Sequence, residues 1–145
     1  MMLPMNNKPY LAFFFLLFLP ILNVAADQIV IITHPQTQID NINKKELNNL
    51  YLGRTGKVRQ TKVILFQHKS DSTIKKEFLE KVNGMDIAKY EAFWAILKFS
   101  GRKLPPYISD NEQKMLGIIS NKINSIGYIY KKNLNSSVKV LLELP

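Results

Sequence analysis

The stretch that most constrains this chain runs from Lys62 to Val82, KVILFQHKSDSTIKKEFLEKV. Val63-Ile64-Leu65-Phe66 is a short apolar run with β-branched content, as a buried strand requires. A polar link, Gln67 to Asp71, follows. Ile74, Phe78, Leu79 and Val82 then recur at a spacing that places them on one face of a helix. The pattern predicts strand, tight loop and helix, with Asp71 or Ser72 as the N-cap. Such a helix start presents unpaired backbone N–H groups and a partial positive charge, which suit an oxyanion. Lys69, Lys75 and Lys76 add positive charge nearby. The plainer alternative is an ordinary capped helix after an ordinary strand.

The first residues read differently from the rest. Lys8 precedes an apolar run of 13 residues, Tyr10 to Leu22, and Val24-Ala25-Ala26 follows. Small residues at Val24 and Ala26 fit a signal-peptidase site, so residues 1–26 are expected to be a cleaved secretory signal. The run is broken by Pro20 and is short against the ~20 residues of a membrane span; a retained N-terminal anchor is the alternative. Residues 27–145 then form one domain, large enough for a genuine core and too short for two ordinary domains. No second long apolar stretch occurs, so no membrane span is expected in the mature chain. With no cysteine in the sequence, neither disulfides nor a thiol nucleophile can contribute. The formal charge is +9, or +8 without Lys8, and is spread as Lys44-Lys45, Lys75-Lys76 and Lys131-Lys132. A solvated lysine surface or an anion-attracting field would each account for it. No nucleic-acid recognition motif is present, and nucleic acid is not an expected partner.

Taken in order, Gln28 to Thr33 is a strand candidate ended by His34-Pro35. Asn43 to Tyr51 predicts a helix with capping-box spacing between Asn43 and Glu46, stopped by Gly53. Arg54 to Lys62 reads as a polar loop. After Asn83-Gly84, Asp86 can cap a helix to about Phe99, in which Ile87, Tyr90, Phe93, Trp94 and Leu97 face inward. Trp94 is expected to be a core anchor. Leu104-Pro105-Pro106-Tyr107 is an extended connection. Ser109 and Glu112 have capping-box spacing for a helix of about ten residues with Met115, Leu116 and Ile119 inward. Ile126 to Tyr130 and Val138 to Leu144 complete the strands, and Gly127 suggests a close approach or a bulge. The resulting β-α-β-α-α-α-β-β order predicts an α/β or α+β sheet domain with helices packed on it.

These residues, in this order, carry a resemblance. An early IVII strand and a Pro are followed by Asn-x-x-x-Glu-Leu with Tyr-Leu-Gly, a strand with a Ser-bearing turn, and Phe78. Phe-Trp, Phe-Ser-Gly, Pro-Pro and finally Ile-Gly-Tyr complete the series. From Ile29 to Leu141 the chain resembles the small phosphate-transporter substrate-binding-protein-like proteins of bacterial periplasms. The resemblance implies an α/β periplasmic-binding-protein-like fold, here a single lobe about half the size of a two-lobed member. It also implies phosphate or a related oxyanion as ligand, no cofactor and a periplasmic location. An ABC transporter membrane component, or a second copy of the chain, is the implied partner. The family's Ser-Gly-Thr turn maps onto Ser72 and Thr73, which are adjacent with no glycine between them; Ser70 and Asp71 lie in the same loop. These four are the candidate ligand-binding residues.

Two other classes of function compete. One is an interaction or structural domain of the same fold that contacts an envelope protein or an anionic polymer. The other is an enzyme, which the sequence disfavours. His34 and His68 are its only histidines, read as ordinary surface residues, and no HxxxH or HExxH spacing supports a metal. No glycine pair surrounds Ser72 as a nucleophile elbow would need.

Overall fold

The computed structural model describes residues 1–4 and 27–145; the apolar run and Val24-Ala25-Ala26 lie outside the described residues. A mixed five-stranded sheet forms the centre. It comprises β1 (Ile29–Thr33), β4 (Ile64–His68), β5 (Tyr107–Ser109), β6 (Ser125–Tyr130) and β7 (Lys139–Leu144). Its spatial order is β5-β4-β6-β1-β7. β4 runs parallel to both β5 and β6, whereas β1 is antiparallel to β6 and β7. Every residue of β1 is buried, which explains its unbroken apolar run: neither face of this strand meets water.

Alternate residues of the strands feed two cores. Ile29, Ile31, Ile126 and Tyr128 face α1 (Lys44–Tyr51), α2 (Thr73–Val82) and α3 (Ile87–Phe99). Val30, Ile32, Phe66 and Ile129 face α4 (Glu112–Asn121) through Met115 and Ile119. Helices therefore cover both faces of the sheet, and every element of both cores comes from residues 29–144. The α/β expectation holds.

Local signals held where side chain and backbone could agree over a few residues. Asn43 and Glu46 form the full capping box of α1, with bonds of 2.8 and 2.9 Å. Asp86 caps α3 through the Lys89 N–H. Three expectations need correction. The loop Arg54 to Lys62 contains a two-stranded hairpin, β2 (Lys57–Val58) and β3 (Thr61–Lys62), whose strands are too short to show periodicity. Tyr107 belongs to β5, an edge strand, rather than to a mere connection. The capping box of α4 is absent. Asn111 caps the helix, and the Glu112 carboxylate instead accepts from the Tyr130 N–H (2.6 Å) and Asn133 Nδ2 (3.0 Å). Glu112 thereby ties the helix start to the end of β6.

Two glycines permit close approaches. A Cβ on Gly127 would lie 2.5 Å from Met115 Sδ, so the expected close approach there is made by a helix side chain. Gly53 follows the end of α1 with φ +65°, and a Cβ there would meet Trp94 Cη2 at 2.6 Å. Left-handed strain and a clash with a rigid ring act together at this position. Gly53→Ala is expected to cost about 2–4 kcal/mol in urea unfolding. Gly56→Ala, with open space around it, should stay within about 0.5 kcal/mol. Equal effects at the two positions would refute this account of Gly53.

Candidate functional site

A pocket of about 200 Å³ lies against the parallel strands β4 and β5, lined by α3, by the Pro105 connection that enters β5, and by the loop that leaves the C-terminal end of β4 to open α2. In open α/β sheets this is where ligands bind, because helix starts converge there. Its polar lining comes from Gln67, Ser70, Lys75, Glu91 and Lys98, and Tyr90, Trp94 and Ile108 add apolar walls.

β4 supplies two buried polar residues. Gln67, only 4% exposed, donates from Nε2 to the Pro106 carbonyl at 2.9 Å, which fixes the entry to β5. Its Oε1 has no hydrogen-bond partner among the described residues. His68 is 2% exposed, so the expectation of a surface histidine is wrong for this residue. β4 pairs with β6 only through Ile64 and Leu65. Beyond them the His68 ring bridges the strands, with Nε2 2.8 Å from the Tyr128 carbonyl oxygen. A carbonyl only accepts, so Nε2 carries the proton. The His68 N–H also donates to the Tyr128 hydroxyl at 3.3 Å. His34, by contrast, is half-buried and accepts from the Gln36 N–H at Nδ1.

The start of α2 supplies the charge. Lys75 lies on the stripe of Phe78, Leu79 and Val82 and is 2% exposed, so it is a buried cation rather than a contributor to surface charge. Its ammonium donates to Ser70 Oγ at 3.3 Å, lies 3.8 Å from Glu91 Oε1 and sits 5.6 Å from the Tyr90 ring centroid. Ser70 in turn donates to the Glu91 carboxylate. Burial lowers the Lys75 pKa, and the Glu91 carboxylate opposes that shift.

The four residues picked from sequence are not brought together. Ser70 lines the pocket beside Lys75, whereas Asp71, Ser72 and Thr73 do not line it. Asp71 and Thr73 are exposed. Ser72 is the N-cap residue, but its hydroxyl donates to the Lys69 carbonyl at 2.6 Å. No side chain caps the first turn of α2. The loop is held from outside by Lys69, 2.8 Å from Asp110, which also pairs with Lys114. Lys114 and Lys69 together hold the Asp110 carboxyl down at about 2.

Sequence reading does not single out Gln67, Tyr90, Glu91 or Lys98 as site residues. For Lys75 a signal exists, since a lysine three, four and seven residues before Phe78, Leu79 and Val82 must share their buried face. Glu91 carries no such signal, because it stands on a different helix. Among the described residues no group of three or more His, Asp or Glu side chains is placed to hold a metal. No helix there is long and apolar enough to cross a membrane.

No protein-family model matches the chain, and no curated protein matches it. Solved structures match in fold. One, from Clostridium perfringens, is described as a phosphate ABC transporter substrate-binding protein with bound phosphate. It has 19% identity and a TM-score of 0.65 over 79% of this chain and 44% of its own. An ABC-type phosphate transport receptor from Vibrio cholerae has 14% identity and a TM-score of 0.63, over 79% of this chain and 45% of its own. PstS from Borrelia burgdorferi has 18% identity and a TM-score of 0.60, over 79% and 46%. The chain spans less than half the length of each. At such identities the likeness is one of fold: a single periplasmic-binding-protein-like lobe.

His68 makes stability pH-dependent. Burial lowers its pKa below 6.5, with the bond to the Tyr128 carbonyl opposing that shift. Between the folded value and 6.5 the unfolded chain binds more protons, so stability is fully present above 6.5 and falls as pH drops below it. Urea midpoints measured from pH 7.5 down to 5 should show this decline, and His68→Gln should flatten it. An unchanged slope in that variant would remove His68 as the cause.

Proposed function

We propose that this chain is an oxyanion-binding module, with phosphate as the favoured ligand, and that it works at the start of α2. The observation that carries the reading is the buried Lys75 ammonium, held against Ser70 at the mouth of a pocket beside an uncapped helix start. Backbone N–H groups of that first turn, the Ser70 hydroxyl and the Lys75 ammonium are all donors. A tetrahedral oxyanion accepts from several donors at once and is favoured by the positive end of the helix. Ser72, the N-cap residue of the same helix start, would add a donor once its hydroxyl leaves the Lys69 carbonyl, whereas Asp71 and Thr73 stay outside the pocket lining. The fold shared with phosphate-transport proteins supports phosphate over other anions. It also supports a periplasmic location after removal of residues 1–26. An ABC transporter membrane component, or a second copy of the chain, fits as partner. The work is binding rather than catalysis.

Glu91 sets the affinity. Its carboxylate already lies on Ser70 and near Lys75, so an incoming anion has to displace it. The pocket is also open on one side, where hydration competes with the ligand. Weak capture follows, in the range of about 0.1–1 mM.

The same occupancy favours a second reading. If Glu91 is the permanent counter-ion of Lys75, the chain is an interaction domain of this fold that takes no anion and contacts an envelope protein or an anionic polymer.

Calorimetric titration of residues 27–145 with phosphate, using sulfate and chloride as controls, separates the two. Under the proposal, Glu91→Gln tightens phosphate binding by about three- to tenfold, and Lys75→Met weakens it by at least tenfold, as expected for loss of one charge-assisted bond of about 1.5–3 kcal/mol. If phosphate gives no heat up to about 10 mM, in either the native chain or Glu91→Gln, the interaction-domain reading stands instead.

A further inference from the structure

Among the described residues from 27 to 145, six large hydrophobic side chains stand exposed, and five of them fall between Ile96 and Ile108. Ile96 (70% exposed) and Phe99 (97%) are three residues apart on the outer face of α3. Leu104 follows the turn that ends the helix, and Tyr107 and Ile108 lie on the edge strand β5. The two segments are adjacent in space. Lys98 of α3 lines one pocket with Ile108, and Lys103 and Leu104 line a second groove with Tyr107.

The turn presents these side chains firmly. The Gly101 N–H donates to the Lys98 carbonyl at 3.0 Å, the Arg102 N–H donates to the Leu97 carbonyl at 3.1 Å, and Gly101 has φ +69°. The unpaired charge on this surface is positive, because the bordering carboxylates are engaged elsewhere, Glu91 with Lys75 and Asp110 with Lys69 and Lys114. From residue 92 to 109 the sequence holds Lys98, Arg102 and Lys103 and no carboxylate. Among the described residues none of the three is in an ion pair.

We propose that this face docks onto an anionic phospholipid surface. A bilayer with negative headgroups offers what the face lacks: acyl chains for Phe99, Leu104 and Ile96, and phosphates at the level of Lys98, Arg102 and Lys103. A second copy of the chain fits poorly, because two-fold pairing would set three cations against their own copies, while the bordering carboxylates Glu91 and Asp110 are already paired with lysines. A protein partner would need a preformed apolar pocket with an acidic rim for the Phe99 side chain, which stands almost wholly clear of the body. A fluid interface needs none. Lys98 and Ile108 also line the pocket at α2, whereas Ile96, Phe99, Arg102, Lys103 and Leu104 do not, so the inference stands whatever occupies that pocket.

The test uses residues 27–145, which hold both cores and all strands of the described sheet, in co-sedimentation with vesicles. One set contains phosphatidylglycerol mixed with phosphatidylcholine, and the other phosphatidylcholine alone. Binding to the anionic set should exceed that to the neutral set and weaken as salt is raised. Phe99→Ser/Leu104→Ser should lower it at least about tenfold. Lys98→Gln/Arg102→Gln should lower it about fivefold per charge, while Lys44→Gln/Lys45→Gln on α1 changes it by no more than about twofold. All these positions are exposed, and circular dichroism checks that the variants fold. The proposal is overturned if the anionic vesicles are not bound, or if the α1 pair matters as much as the α3 pair. A dimer in analytical ultracentrifugation that Phe99→Ser dissolves would also overturn it, by assigning the face to a second copy.

Discussion

Tyr51 is the residue on which the arrangement of elements depends. It is the last residue of α1, where a helix leaves its carbonyls without partners. Here the orphan carbonyl accepts from two side chains of α3, Tyr90 Oη and Trp94 Nε1, each at 3.1 Å. The Tyr51 hydroxyl donates to the Phe66 carbonyl of β4 at 2.7 Å. Its ring packs edge-on against Phe78 of α2 and Tyr128 of β6, which stack on one another at 3.9 Å. One side chain and its carbonyl thus join three helices to two strands. Each bond is worth about 1 kcal/mol, but losing any of them would leave a buried polar group unpaired, at a cost of about 1–3 kcal/mol. The position of the pocket follows from this: Phe66 is fixed, so Gln67 and His68 are fixed, and Tyr90 and Trp94 form the facing wall.

How much of this the sequence reveals depends on the range over which each signal acts. The Asn43–Glu46 box and the Asp86 cap involve neighbours three residues apart, and the apolar runs of β1 and β6 report burial directly. The α4 cap misleads because Glu112 finds its partner on β6, at Tyr130, and no local rule anticipates that competition. The same holds at the site. Ser70, Lys75 and Glu91 meet only once α3 is laid against α2. His68 looks like the polar residue that follows a strand. It is instead the last residue of that strand, buried because its ring fills the gap where β4 parts from β6.

Lys75 and Glu91 pose an energetic question. A buried ammonium is costly, and a single carboxylate that remains half exposed only partly offsets that cost. A leucine or methionine at position 75 would continue the stripe of Phe78, Leu79 and Val82 at no such penalty. Core stability therefore does not account for the lysine. The anion capture proposed above would account for it, because the cation lies in the first turn of a helix whose N–H groups no side chain caps.

The composition of α3 completes the argument. A helix that covers a sheet needs one apolar stripe, and Tyr90, Trp94 and the partly buried Ile87, Phe93 and Leu97 provide it. Ile96 and Phe99 lie off that stripe and add nothing to the core. A helix apolar on more than one side is stable in water only at the expense of solubility, unless a second surface covers the remaining face. Glu91 stands in the first half of α3 beside the pocket, and Phe99 is the last residue of the same helix, exposed. A partner that fixes the outer end of the helix therefore acts on the same rigid element that carries the counter-ion of Lys75.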